Sequence, residues 1–298
     1  MILVAGSANL DFVVRASHIP APGETVLGYD FKTFPGGKGA NQAIACARAG
    51  AAATTMILAL GNDAFAVPLE ESLNSAGVRL HIKRVKDQPT GTAFICVSDD
   101  AENAITVAPG ANNFLQPDDM VPLPELADFT HLLLQLETPI TTVTAFARAA
   151  CQQGVKVVLN AAPAQNLSSE LLALVDILIV NEGELAVVSN HQGSIEQCLE
   201  RIQVRCVVVT LGSRGACARV DDQILKQSAF PVTPVDTTGA GDTFCGAFVA
   251  ALSQGRDVAQ ALRQASAAGA LACTRPGAQS SIPTHAEVQT FLKNSIAS

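Results

Sequence analysis

The chain has 298 residues, is 48% hydrophobic and carries a formal net charge of -8 at pH 7. With that acidic balance, no Trp and a single Tyr, neither nucleic acid nor an anionic membrane surface is the expected partner, because both call for basic surfaces and the former for stacking platforms. The length suffices for one large core, or a core with a small appendage.

The opening run Met1-Ile2-Leu3-Val4-Ala5 has no basic flank and no following cleavage pattern, so a signal peptide is not expected. Ile2 to Ala5 reads as a buried strand. Asp11 to Phe34 holds short β-type runs, Phe12-Val13-Val14 and Thr25-Val26-Leu27, punctuated by Pro20, Pro22 and Gly23. A helix is predicted over Ala40–Ala49, and after Gly50 a strand over Thr55–Leu60. This is the most apolar stretch of the chain, but Arg48 and the helix–glycine–strand pattern argue against a membrane span. Thr90 to Val107 again carries β-type runs, Ala93 to Val97 and Ile105 to Val107, broken by Asp99-Asp100.

From about residue 131 the pattern alternates. Strands are predicted at His131–Leu136, Val155–Asn160, Asp176–Val180 and Cys206–Thr210, with helices at Thr141–Cys151, Ser168–Leu174 and Ser194–Ile202 between them. Continuous apolar strands separated by helices imply a mainly parallel sheet covered on both faces. Helices over about Gly241–Ser253, Val258–Cys273 and His285–Lys293 complete the chain. The expected fold is α/β, one domain over 1–298, with a small β-sheet lid formed by about 11–34 and 90–107.

The eight cysteines form no Cys-x-x-Cys pair, and the five histidines show no metal-ligand spacing. Buried, reduced thiols in a cytoplasmic protein are the expectation.

Two glycine clusters hold the chemistry. Val235-Asp236-Thr237-Thr238-Gly239-Ala240-Gly241-Asp242-Thr243-Phe244 is a polar turn running into an apolar, small-residue helix. Such a turn aims free backbone N–H groups at one point, where an anion can sit. A carboxylate beside it, Asp242, suits phosphoryl transfer to a hydroxyl: the acid takes the proton and the amides stabilise the moving phosphoryl. Upstream, Pro35-Gly36-Gly37-Lys38-Gly39-Ala40-Asn41-Gln42 lets backbone approach a ligand closely beside a helix N-terminus. It is not a P-loop, and Val4-Ala5-Gly6-Ser7-Ala8-Asn9 lacks the dinucleotide fingerprint. Taken alone, each cluster is also readable as a structural turn or helix cap.

Together the two clusters resemble the signatures of the ribokinase-like sugar kinase family. The likeness extends along the chain through Gly6-Ser7-Ala8-Asn9-Leu10-Asp11, Gln135-Leu136-Glu137, Asn160 to Ala164, Asn181-Glu182-Gly183-Glu184, Thr210 to Gly215 and Thr274 to Gln279. The resemblance implies a ribokinase-like αβα sandwich whose β-sheet lid forms a homodimer clasp. It implies transfer of the ATP γ-phosphoryl to a sugar hydroxyl, with Mg²⁺ required and K⁺ activating. Asp242 matches the catalytic base, and Gly239, Ala240 and Gly241 the anion hole. Asn9, Asp11, Gly37, Lys38, Asn41 and Glu137 match sugar-contacting positions. Asn181 and Glu184 match the segment that organises phosphates and Mg²⁺, the metal through water. Thr210, Gly212, Ser213 and Gly215 match the nucleotide loop. Asp236, Thr238, Ala272, Arg275, Gly277 and Ser281 match a K⁺ site built mostly from carbonyls.

Asn62 and Ala66 depart from the family pattern of acid and glycine, so a changed start is expected for the helix that follows. Asn9 offers an amide to the hydroxyl that deoxyribose lacks, worth about 1–3 kcal/mol if left unpaired. The expected acceptor is therefore the primary hydroxyl of a pentose, D-ribose above others. Another small sugar or a nucleoside as acceptor, and a non-catalytic sugar or nucleotide sensor, stay open from sequence.

Overall fold

The computed structural model describes residues 1–100, 102–120 and 126–295. Residue 101 of the expected lid lies outside the described residues. In chain order the elements are β1 (Ile2–Ala5), β2 (Asn9–Ala16), β3 (Tyr29–Gly36), α1 (Lys38–Arg48), β4 (Thr54–Gly61), α2 (Ala66–Ser75), β5 (Arg79–Val85), β6 (Gly91–Ser98) and β7 (Asn103–Ala108). A 3-10 turn over Gly110–Phe114 leads towards β8 (His131–Leu134), α3 (Ile140–Gln152), β9 (Lys156–Asn160), α4 (Ser169–Ala173), β10 (Ile177–Asn181), α5 (Glu182–Val188), α6 (Ile195–Leu199) and β11 (Cys206–Thr210). The chain ends with β12 (Ala216–Val220), β13 (Gln223–Gln227), α7 (Ala240–Ser253), α8 (Val258–Ala272) and α9 (His285–Asn294).

Among the described residues, nine strands form one sheet in the order β13-β12-β11-β10-β9-β8-β1-β4-β5. From β11 to β5 every pairing is parallel; β12 runs antiparallel to β11, and β13 to β12. Successive residues of a strand point to opposite faces, so an all-apolar strand feeds two cores. Ile2, Val4, Met56 and Leu58 pack on the side of α1, α7 and α8 with Ala43, Phe248 and Ala265. Leu3, Ala5, Ile57 and Ala59 pack on the other side with Val143, Phe146 and Leu171. That division produces the αβα layers. Local chemistry starts the helices: Ser194, Asp257 and Thr284 each close a capping box on α6, α8 and α9. The start of α2 at Ala66 is held by Asp63, whose Oδ1 accepts the Ala66 amide at 3.2 Å.

A separate four-stranded sheet has the order β3-β2-β6-β7. Here β2 and β6 are parallel, in register from Asn9↔Gly91 to Ala16↔Ser98, and the outer strands are antiparallel. The sequence placed a strand at Thr25–Leu27, but the structure begins β3 at Tyr29. Pairing to β2 runs out at Arg15↔Tyr29, after a register shift, and Leu27 is 91% exposed. Also against expectation, Cys151 is exposed, whereas Cys46, Cys198, Cys206, Cys217 and Cys245 are buried. Among the described residues, no helix is long and apolar enough to cross a membrane.

Candidate active site

The carboxyl ends of the parallel strands meet the N-termini of α1 and α7 at a cleft of about 150 Å³. Lys38, Asn181, Glu184, Thr210, Gly239, Gly241 and Asp242 line it, together with Asn160 and Cys245. Open α/β sheets place ligands at this edge.

Asp242 sits in the first turn of α7 and is the one buried acid among the described residues. Its Oδ2 accepts from Asn41 Nδ2 and its Oδ1 from Gln42 Nε2, each at 2.9 Å. Gly239 caps α7 in the left-handed conformation, φ 71°, which aims the turn's amides at the cleft. The Ala240 amide donates to the Thr237 carbonyl at 3.2 Å. The amides of Gly239, Gly241 and Asp242 are left open to an anion, and that of Ala240 serves the turn.

The sugar-side residues assemble from β2, α1 and the loop after β8. Gly37 caps α1 at φ 88°, where a β-carbon would stand 2.7 Å from the Asn9 nitrogen. The Asp11 carboxylate lies against Gly36, where a β-carbon would fall 2.2 Å from its Oδ2. Glu137 Oε2 accepts from the Lys38 amide at 3.0 Å and from the Ser7 hydroxyl. Asn9 Oδ1 accepts from Asn112 Nδ2 at 2.8 Å. Asn112, fully buried, also brackets Ala8, accepting its amide and donating to its carbonyl.

Electrostatics follow from this crowding. Burial, then the nearby Glu137 and Asp242 carboxylates, push the Asp11 acid from 3.8 up to about 7. Burial opposes the Lys38 charge, yet Asp242, Glu137 and Glu184 together outweigh it and hold the ammonium above its ordinary value. Burial also raises Glu184, against the Asn181 amide and Lys38, which favour its charge.

Asn181 and Glu184 form a capping box on α5: Asn181 Oδ1 accepts the Glu184 amide and Glu184 Oε2 the Asn181 amide, each at 2.8 Å. The cap leaves Glu184 Oε1 unused on a cleft-lining side chain. Among the described residues no three His, Cys, Asp or Glu side chains gather to hold a metal directly. One carboxylate beside an anion cleft fits a hydrated Mg²⁺ carried by phosphates. Thr210 reaches the cleft from the end of β11, whereas Gly212, Ser213 and Gly215 lie on the turn into β12. Gly215 has φ 100°, and a β-carbon there would strike the Gln227 carbonyl at 2.1 Å, so its glycine is a demand of the hairpin.

Asp236 ties the loop before α7 to the late loop. Its Oδ1 accepts the Thr238 amide at 2.9 Å and its Oδ2 the Gly277 amide at 2.8 Å. The Cys273 carbonyl accepts the amides of Val235 and Asp236. The Arg275 guanidinium turns to Glu287, and the Ser281 hydroxyl donates to Ala278. The Ala272 carbonyl accepts the Arg275 amide at 3.2 Å. Asp236, Thr238 and Gly277 thus come together through the Asp236 carboxylate, while the Arg275 and Ser281 side chains turn to other partners.

Sequence reasoning assigned no role to Gln42, Gln135, Asn160, Asn112 or Ser7. Gln42 stood within a glycine motif, and Ser7, Gln135 and Asn160 within other segments of the family likeness; Asn112 lay outside all of them. Their roles come through partners more than ninety residues away.

A buried aspartate at a helix N-terminus, flanked by open amides and facing a polar cradle, defines a phosphotransferase with an alcohol acceptor. The model of the pfkB family of carbohydrate kinases matches residues 1–285, and the chain belongs to that family. The ribokinase of Haemophilus influenzae is 39% identical to it over 304 aligned positions, covering 98% of each chain. The ribokinase of Bacillus subtilis is 36% identical, over 98% of this chain and 99% of that one. The structure of Arabidopsis thaliana ribokinase complexed with ribose and ATP superposes with a TM-score of 0.90 at 34% identity, covering 98% of both chains.

Proposed function

We propose that this chain is an ATP-dependent kinase that converts D-ribose to D-ribose 5-phosphate. One observation carries the reading: Asp242 is held through both oxygens, by Asn41 and Gln42, beside the open amides of Gly239 and Gly241. Relatives that share nearly the whole chain and are named ribokinases support ribose as the acceptor.

In this reading Asp242 takes the proton of the primary hydroxyl as that oxygen attacks the γ-phosphorus, and ADP leaves with the bonding pair of the broken P–O bond. The Gly239 and Gly241 amides and Lys38 meet the charge on the transferred phosphoryl. Asn9, Asp11, Gly37, Asn41 and Glu137 orient the sugar; Asn181, Thr210 and the Gly212–Gly215 turn take the nucleotide, with Ser213 on that turn. Mg²⁺, beside Glu184, would offset phosphate charge, and K⁺ between the loops of Asp236 and Gly277 would fix the anion turn. The chain acts as one domain, with the four-stranded sheet as a lid that excludes water. The same sheet joins two copies into a homodimer, in the cytoplasm.

The test is sugar-dependent ADP release with Mg-ATP and K⁺ across ribose, 2-deoxyribose, fructose and nucleosides, for the wild type and Asp242→Asn. Ribose should be preferred, and the variant should bind ribose yet lose turnover by about 10²–10⁴-fold or more. Turnover near the wild-type level in Asp242→Asn would reject the mechanism.

A further inference from the structure

Gln42 is completely buried and uses all of its amide hydrogen-bonding groups on side chains. Its Oε1 accepts from Gln135 Nε2 at 2.7 Å. Its Nε2 donates to Asn160 Oδ1 and to Asp242 Oδ1, each at 2.9 Å. Asn160 is anchored in turn, donating from Nδ2 to the Ile179 carbonyl at 3.1 Å. The relay thus runs from the ends of β8 and β9 and the middle of β10 through α1 to the first turn of α7.

An amide side chain has two orientations related by a flip. Gln135 donates to one end of Gln42, and two acceptors face the other, so one orientation alone satisfies every partner. The same orientation presents an N–H donor to Asp242. Gln42 is the more enclosed of the two partners of Asp242, at 0% exposure against 6% for Asn41.

We infer that Gln42 is a positioning residue for phosphoryl transfer: held by Gln135 and Asn160, it pins Asp242 Oδ1 inward and leaves Oδ2, on the Asn41 side, to receive the hydroxyl proton. The inference rests on the reading of Asp242 as the base. Gln42 has no exposed surface and does not line the cleft, so its contribution appears in the chemical step and not in substrate binding.

The test is steady-state kinetics of the full-length protein as wild type, Gln42→Met, Gln135→Met and the double variant, with thermal melting of each. Gln42→Met should lower kcat by about 10- to 100-fold, the range for loss of a hydrogen bond to a charged group, with KM for ribose and for ATP within about twofold. Gln135→Met should lower kcat by less, through Gln42 alone. In the double variant kcat should match that of Gln42→Met, because two members of one relay do not multiply. Wild-type kcat in Gln42→Met, a loss confined to KM, or effects that multiply would each overturn the inference. If Gln42→Met does not fold, Gln135→Met decides: lower kcat at unchanged KM supports the relay, and unaltered kinetics overturn it. A wild type without turnover on any sugar would remove the kinase reading and this inference with it. Normal wild-type turnover with unaltered variants would remove the inference alone.

Discussion

Gly246 of α7 abuts the main-chain carbonyl of Gln42 in α1: a β-carbon at 246 would stand 2.6 Å from that oxygen and 2.5 Å from the Ala45 β-carbon. This contact sets how near the two helices come, and hence whether Asn41 and Gln42 reach Asp242. Gly246→Ala is expected to cost about 1–3 kcal/mol of stability through overpacking and to lower kcat as well. Thermal denaturation and kinetics read both; a wild-type melting temperature with wild-type kcat would contradict it.

The acid at Asp11 predicts a pH signature. It ionises near 3.8 in the unfolded chain and near 7 in the folded one. Across that window the folded state keeps a proton that the unfolded state has lost, so this group's effect on stability becomes less favourable as pH rises. Hydroxyl hydrogen bonds to the carboxylate favour its charged form, so ribose binding should release protons near neutral pH. KM for ribose should rise as pH falls from about 8 to about 6, and Asp11→Asn should flatten that rise. Calorimetric titration in two buffers of different ionisation enthalpy measures the proton directly, and equal heats in both would refute it.

Asn9 and Asn112 bear on the choice of sugar. Asn112 holds the Asn9 oxygen at 2.8 Å and so fixes which end of that amide is spoken for. Asn9→Leu should reduce the preference for ribose over 2-deoxyribose by about 5- to 150-fold, corresponding to about 1–3 kcal/mol for an unmade hydrogen bond. Asn112→Ala should reduce it by less. The readout is the ratio of the two kcat/KM values, and an unchanged ratio in Asn9→Leu would remove the argument.

The four-stranded sheet exposes aromatic surface. Phe12 stacks on Phe31 and Phe94, at 6.1 and 5.4 Å between centroids, and meets Phe65 edge-on at 5.4 Å. Phe31 is 62% exposed and Phe94 53%. This is the apolar surface that the proposed homodimer would cover. Sedimentation equilibrium at micromolar concentration should show a dimer, and Phe31→Glu with Phe94→Glu should give monomer. A monomeric wild type would refute the homodimer.

Much of the fold was readable because burial on both faces demands uninterrupted apolar runs. The predicted Cys206–Thr210 strand has the observed bounds, and the last three helices begin and end within about one residue of expectation. Edge strands escaped that logic. β5 spells Arg-Leu-His-Ile-Lys-Arg-Val and lies half in solvent, so it carries no apolar signature. β12 and β13 pair antiparallel at the opposite border, where no strand was expected from the sequence. At the site, glycines announced themselves because close backbone approach excludes a β-carbon. The amides that hold Asp242 did not. Gln135 and Asn160 end separate strands, and nothing in their local sequence states that both converge on Gln42. Asn181 and Glu184 show the converse: the three-residue spacing that caps α5 also places Glu184 on the cleft, so one pattern serves two purposes.

The place of β1 has a consequence for how the chain assembles. Its four residues lie between β4 and β8, with Ile2 opposite both Thr54 and His131. During synthesis the first strand made therefore waits through more of the chain for its second neighbour than any other described strand of that sheet, since β8 is completed only at Leu134. Until then one of its edges is open, and its apolar side chains lack half their cover. Pairing across so long a loop is slow to form and leaves unpaired strand edges available to other chains. Overproduction should therefore be most vulnerable to aggregation while the segment between β1 and β8 is still emerging.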